Sequence, residues 1–541
     1  MNATLLRPAP AAGTPREAGD GQRRAVLALA RVEALRLLRH PITIVAVLFM
    51  VGVWVSEWFT NESNQYPVLQ DMDRETQLGM MLLLGGAALV AGNLAVLRAH
   101  RHGTNALGDV LVLPYRARTV AHLLAVLPLG LLAVVLVALR IGALALAPAA
   151  GHPNVFELAT GPAVVVLFGA IGVLLGRLTR SAIVAPLMLL ALLAILVVIP
   201  LVAPIPGSPV RWFQPVVAES EAPFVLPAPV YLMARPAGPH LVYLVGLALL
   251  VAVAALARGG ARSLRLLGVG VVALALTAAG AVGQAGSVSK ATTDARLAAM
   301  QYPAKSQTCR SLGTVTYCAF PDFTGWIPSW DTEVHGVLAR VPAALAAQPL
   351  AVRQRVVLMG PNNAVPSSPG DTWQADDTAA GTPNAVTVTT RWGDSRSASV
   401  LTALVAFRVV TGSRMGAGSV CGARGVLIGW LSGQASGLAR TGLRKLVDDQ
   451  DTREKSGVFF AEATIGAGIL VPHREITMAM SLLDRPANEV GARVLASWDE
   501  LASSRTTIER AAEILGMPSP PPASSDDQQA GPKQDGDRGC S

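Results

Sequence analysis

Charge is scarce in this sequence. Only 15% of its 541 residues are Asp, Glu, Lys or Arg, while 52% are hydrophobic and the mean hydropathy is +0.45. A soluble chain of this size needs more charge to cover its surface, so the composition points to a membrane protein. Lysine is missing altogether from the first 283 residues, which hold 20 Arg against 12 Asp and Glu. Residues 284–541 hold 24 cations and 24 acids, so the net charge of +8 belongs to the hydrophobic half. Aromatics are only 5% of the chain, and none interleave with basic runs, which excludes a nucleic-acid-binding surface.

Motifs for chemistry are also missing. No G-x-x-x-x-G-K-[ST] occurs, so the chain does not hydrolyse ATP through a P-loop. ATIGAGIL, within 463–470, has two glycines but no strand–helix unit with a downstream acid around it. No H-E-x-x-H occurs, and beyond residue 283 the histidines are His335 and His473 alone. In PHREI, Glu475 follows His473 by two residues, a spacing that does not place both on one helix face. SVSK at 287–290 matches S-x-x-K without a companion K-T-G, and chance explains it. The reading is of a non-enzyme, with no metal or catalytic residue.

What is present is a series of long apolar runs. Seven segments lie near the ~20 residues that cross a bilayer: 41–59, 78–97, 121–147, 158–177, 182–203, 239–257 and 262–283. The first lacks a small-residue cleavage site soon after its apolar run, so it reads as an uncleaved anchor. The N-terminal arm and the second, fourth and sixth loops carry 16 arginines against 3 in the other loops. The positive-inside rule then sets the N-terminus in the cytoplasm of a multi-pass plasma-membrane protein. Seven spans put everything after residue 284 outside. Arg140 stays within the third run, near its outer end, and is expected to snorkel to the headgroups.

Four regions follow: a Pro/Ala/Gly-rich disordered tail at 1–22, a membrane domain at 23–283, an extracytoplasmic α+β domain at 284–517, and a disordered tail at 518–541. In RRAVLALARVEALRLLRH, residues Val26, Leu27, Ala30, Ala34, Leu37 and Leu38 share one arc. Arg31, Glu33, Arg36 and Arg39 lie outside it, as in a helix resting on the membrane surface among lipid headgroups. Within the C-terminal domain, GTVTYCAF, RVVLMG and AVTVTTRW read as strands. SASVLTALVAFRVV reads as a core helix too short to span, and ANEVGARVLASWDELAS and TTIERAAEILG read as further helices. The proline-dense loop 204–238 carries Trp212, Phe213 and Tyr231, aromatics suited to the outer interface. Cys309 and Cys318 flank RSLGTVTY and can close a hairpin through a disulfide in an oxidising compartment, with two free thiols as the alternative. Cys421 and Cys540 suggest no catalysis.

The loop between the second and third runs carries the sharpest pattern. In HGTNALGDVLVLPYRART, Thr104 or Asn105 can cap a helix. Ala106, Leu107, Val110 and Leu111 form one apolar stripe, and Pro114 ends it, with Arg98, Arg101, Arg116 and Arg118 around it. A surface loop has no need of that stripe. RAHRHGTNALGDVLVLPYRART resembles the basic stretch, Gly-Thr and short helix ending in Leu-Pro that follow the second span in permeases of the type-2 ABC exporter superfamily. The Glu-containing elbow RVEALRLLRHP and the aromatic, proline-bearing loop before the sixth span resemble that family too. The resemblance covers roughly 23–257. It implies a six-span permease core working as a homodimer or with a partner permease. Ala106, Leu107, Val110 and Leu111 would then form the coupling helix that docks a separate ATPase subunit, which binds the ATP and Mg. The seventh span and the C-terminal domain depart from the family. The alternative is a membrane-anchored extracytoplasmic binding or sensory protein without transport activity; an external hydrolase comes third.

The topology is open to direct test. With an impermeant thiol reagent, Ser367→Cys should be labelled in intact cells and Thr104→Cys only after lysis. The reverse pattern would invert the orientation.

Overall fold

The computed structural model describes residues 15–60, 65–101, 113–202, 209–216, 226–286, 288–358, 370–413, 418–451, 457–461 and 468–521. Among these, six helices are long and apolar enough to cross a membrane. The protein is therefore a helical, multi-pass membrane protein. The helices are α2 (Pro41–Thr60), a rod comprising α3 (Leu69–Gly79) and α4 (Gly86–Arg101), then α5 (Tyr115–Leu144), α6 (Val155–Leu178), α8 (Ala237–Arg258) and α9 (Leu264–Gln284). The run at 182–203 forms α7 (Val184–Val202), whose 19 residues extend about 28 Å at 1.5 Å per residue.

Local chemistry sets the helix ends. The Asn154 side chain accepts from Phe156 N to open α6, and Ser263 accepts from Leu266 N to open α9. Pro41 occupies the first position of α2, where its missing N–H costs nothing. A π-helical turn, Met80–Gly85, joins α3 to α4 without breaking the rod. The rod thus starts nine residues before the expected 78. Those extra turns are too polar to read as a span, yet Gln70, Thr76 and Gln77 are buried among other helices.

The rod and α6 form the centre of the bundle, with 72% and 67% of their spanning windows buried, against 17% for α2 and 11% for α9. Without water to drive apolar surfaces together, packing in a bilayer depends on close backbone approach, and glycines permit it. A Cβ on Gly172 of α6 would run into the carbonyl of Leu89 and the backbone N of Asn93 on the rod. Gly92 and Gly176 line the same seam, Gly130 and Gly169 line the seam of α5 with α6, and Gly246 and Gly280 that of α8 with α9.

The N-terminal helix α1 spans Pro15–Leu38, so helix begins within the tail expected to be disordered to residue 22. It buries Ala30, Glu33, Ala34 and Leu37 and leaves Leu27, Val32 and Leu35 exposed. Its buried arc faces α5 and the rod and includes Glu33, which the sequence pattern had set outside the apolar face.

After α9 the chain forms α10 (Lys290–Gln301) and then short strands mixed with helices. The hairpin β1 (Thr308–Leu312) and β2 (Val315–Ala319) turns at Gly313, whose φ of +60° suits glycine. Two parallel pairings extend it through β3 (Leu350–Gln354) and β4 (Val386–Val388). A second sheet runs β5 (Gly418–Ser419), β7 (Ile469–Val471), β6 (Val458–Phe460). The core is built on Phe320, Phe323, Trp326, Trp330, Trp392 and Trp430. Residues 395–411 form the expected buried helix. The strand expected at RVVLMG lies earlier, at β3: residues 355–357 are outside it and 359–360 lie outside the described residues, while β3 carries Arg353, buried 2.9 Å from Asp377, a charge that a hydrophobic pattern misses. ANEVGARVLASWDELAS splits into Ala487–Ala496 and Trp498–Leu501, and TTIERAAEILG gives Ile508–Leu515 capped by Thr507. Residues 522–541 lie outside the described residues.

The glycine seam predicts an asymmetry. Gly172→Ala should lower the thermal midpoint in detergent, with an overpacking cost of about 1–3 kcal/mol. Gly79→Ala, where a Cβ meets nothing within 4 Å, should hold or raise it. Equal midpoints would mean that the seam tolerates separation.

Candidate functional site

Two polar clusters sit at opposite ends of the rod. At one end is Glu33, buried on α1. Its two carboxylate oxygens accept from Arg98 Nη1 at 2.9 Å each, and Oε1 also accepts from Arg36 Nη1 at 2.8 Å. Arg98 stands in the last turn of α4, so this ion pair fastens α1 to the rod just before residues 102–112. Arg31, Arg36 and Arg39 are exposed around it. Of the eight loop and elbow residues singled out from the sequence, these four are described; Ala106, Leu107, Val110 and Leu111 lie outside the described residues.

At the other end the cluster is buried more deeply. Glu157 in the first turn of α6 faces Arg235, Nε to Oε1 3.0 Å, with both side chains under 10% exposed. Arg235 Nη2 donates to the Gln70 carbonyl at 2.5 Å, Gln77 Nε2 donates to the Glu157 carbonyl at 2.9 Å, and Gln70 Nε2 donates to the Ala228 carbonyl at 2.9 Å. Two charges at the rim of a low-dielectric region hold only if paired and hydrogen-bonded, and here the rod supplies the supplementary groups.

The C-terminal region clasps the same end. Asp322 accepts from Val230 N through Oδ2 at 2.7 Å and from Gly151 N through its carbonyl at 3.1 Å. Trp326 Nε1 donates to the Pro148 carbonyl at 2.8 Å, and Arg296 donates to the carbonyls of Leu232 and Met233, both at 2.8 Å. Tyr66 packs edge-on to Trp326, ring centroids 6.4 Å apart. Val68, Ala150, Ala228, Leu232 and Met233 are continuous with the tryptophan-rich core. Segments following α2, α5 and α7 therefore converge on one end of the bundle, together with the C-terminal region. With α5 and α6 joined at that end, α7 must return through the bundle to reach it.

Arg140 does not snorkel. It is 6% exposed, donates to Glu57 Oε2 at 2.5 Å and lies over the Trp54 ring, 5.5 Å from its centroid. Its ligands on α2 give it a better partner than the interface would.

The remaining candidates are placed plainly. Cys309 and Cys318 are bridged across the β1–β2 pair, and Cys421 is disulfide-bonded as well. His335 sits half-exposed, 2.9 Å from Asp331. Glu475 is buried and accepts from Gly422 N at 2.8 Å; burial pushes its carboxyl up, and that N–H opposes the shift. Among the described residues no group of three or more His, Cys, Asp or Glu could hold a metal ion. The Glu157–Arg235–Gln70 cluster and Asp322 escaped sequence reading, although an acid and an arginine flanking span ends were the available signal.

Comparison with known proteins places the chain in no group: no family model, curated protein or solved structure matches it.

The clasp is testable at Asp322. Asp322→Ala leaves the Val230 N–H unpaired, a cost of about 1–3 kcal/mol, and should raise amide exchange across 228–233 well before global unfolding. Unchanged exchange there would place the clasp elsewhere.

Proposed function

We propose that this chain is the permease subunit of an ATP-driven exporter of the type-2 ABC kind, energised by a separate ATPase subunit that docks on loop 102–112. The observation that carries the reading is the rod. Leu69–Arg101 is a helical run of roughly 50 Å. One end is tied through Gln70 to Ala228, in the segment that packs into the C-terminal core; the other is braced by Glu33 at Arg98, just before residues 102–112. A force applied at the loop thus reaches the opposite face through one element, as a two-state access switch requires. The resemblance of the loop and elbow to that family supplies the class of partner, with ATP and Mg held by the ATPase and a second permease copy or partner completing the pathway.

In this reading the N-terminus is cytoplasmic and the C-terminal α+β domain is extracytoplasmic, capping the outer mouth. The arginine bias supports the orientation. The three disulfide-bonded cysteines described in that region, Cys309, Cys318 and Cys421, suit an oxidising compartment. A binding or sensory protein merely anchored by its helices would have no need of the clasp, since a tether alone would suffice.

The deciding experiment sits in the loop. If Leu107 enters a groove on the ATPase, Leu107→Asp loses an apolar anchor, costing about 2 kcal/mol or more, and buries an unpaired carboxylate besides. The ATPase should then be lost on purification while expression and insertion persist, and Asp109→Asn should do much less. A Leu107→Asp protein that keeps its ATPase and full transport would falsify the docking assignment.

A further inference from the structure

The end of the bundle away from the C-terminal region concentrates positive charge. His122 on α5 lies in the field of Arg177, Arg98 and Arg118. Arg98 is committed to Glu33, which Arg36 shares. Arg118 Nε donates to the Leu113 carbonyl at 3.1 Å. Arg177, in the last turn of α6, lays its guanidinium over the Tyr115 ring, 4.2 Å from the centroid. No carboxylate among the described residues pairs with it.

Two orphaned atoms mark the place. Arg177 Nε and His122 Nδ1 are both shut off from solvent without a hydrogen-bond partner among the described residues. Such groups cost free energy unless an acceptor arrives. The 30-residue helix α5 also opens here, behind Pro114, with no side-chain cap, so its first N–H groups and the positive end of its dipole face the same neighbourhood. A guanidinium fork, an imidazole and an uncapped helix start together suit a tetrahedral oxyanion.

The surroundings select the source of that anion. Leu178 and Ile183, exposed at 48% and 63%, follow Arg177 at the end of α6 and in the turn beyond it, and Tyr115 is half-exposed under the Arg177 guanidinium. An acyl chain fits along such a surface, where a soluble ion has nothing to hold. We propose that Arg177, His122 and the start of α5 form a binding site for the headgroup phosphate of an anionic phospholipid at this rim. The site is independent of the ATPase reading. A lipid seated there would bridge the start of α5 and the end of α6, next to the Glu33–Arg98 brace.

The test uses the full-length protein in detergent, delipidated and then titrated with phosphatidylglycerol, phosphatidylethanolamine or inorganic phosphate and read by native mass spectrometry. One phosphatidylglycerol per chain should survive where phosphatidylethanolamine is lost. Arg177→Gln should weaken that binding roughly tenfold, the scale of one lost charge-assisted contact. Arg177→Lys should weaken it less, and Arg262→Gln, an exposed arginine, should leave it unchanged. Equal loss in Arg177→Gln and Arg262→Gln, or none in either, means that only diffuse charge attracts the lipid and overturns the site. Displacement of the lipid by excess inorganic phosphate assigns the ligand to a soluble anion and overturns the lipid source. Should Arg177→Gln fail to fold, wild-type protein that holds both lipids equally well overturns the proposal by itself.

Discussion

A charge at the rim of a bilayer must find its opposite, and the pairing of Glu157 with Arg235 is the contact on which the rest of this architecture hangs. Glu157 belongs to the first turn of α6, and Arg235 to the segment that leads into α8. Neither could remain buried without the other. Their meeting brings the segment after α7 back across the top of α6, and Gln70 and Gln77 complete the hydrogen bonding from the rod. Three parts of the chain are thereby fixed relative to one another before the C-terminal region contributes anything.

The C-terminal region then builds on that platform. Asp322 and Arg296 satisfy backbone groups of the segments converging there, groups that would otherwise sit unpaired at a buried junction. Trp326 joins the two halves twice, through its indole N–H to Pro148 and through its ring against Tyr66. Because Val68, Ala150 and Leu232 enter the same apolar core as the tryptophans, the junction is packed like a protein interior. Motion of the membrane helices at this end therefore moves the C-terminal region with them.

At the far end the construction is lighter. Among the described residues one ion pair, Glu33 with Arg98, joins α1 to the rod beside the apolar packing of Ala34 and Leu37, and Arg98 remains partly exposed. A firm clasp at one end and a modest brace at the other give a rod held more lightly at the end that leads into residues 102–112. Between them, the glycines of the α6 seam allow backbone contact without large interlocking side chains. The π-helical turn Met80–Gly85 lies within the rod, where it joins its polar and apolar halves.

Sequence alone determined the membrane class, the approximate spans and the Cys309–Cys318 hairpin, because each rests on local composition or spacing. It also marked the buried helix at 395–411, whose apolar run is too short to span. It could not place Glu33, whose helical position among arginines reads as a wetted face until Arg98, 65 residues away, is brought beside it. It misread Arg140 for the same reason: Glu57 is 83 residues distant. The first turns of the rod and strand β3 were missed because their buried polar groups are stabilised by partners from other elements, and hydrophobic periodicity registers apolar burial only. Which charges are paired, and which segments meet at the clasp, was decided by tertiary structure, since the partner that makes a buried charge tolerable is rarely its neighbour in the chain.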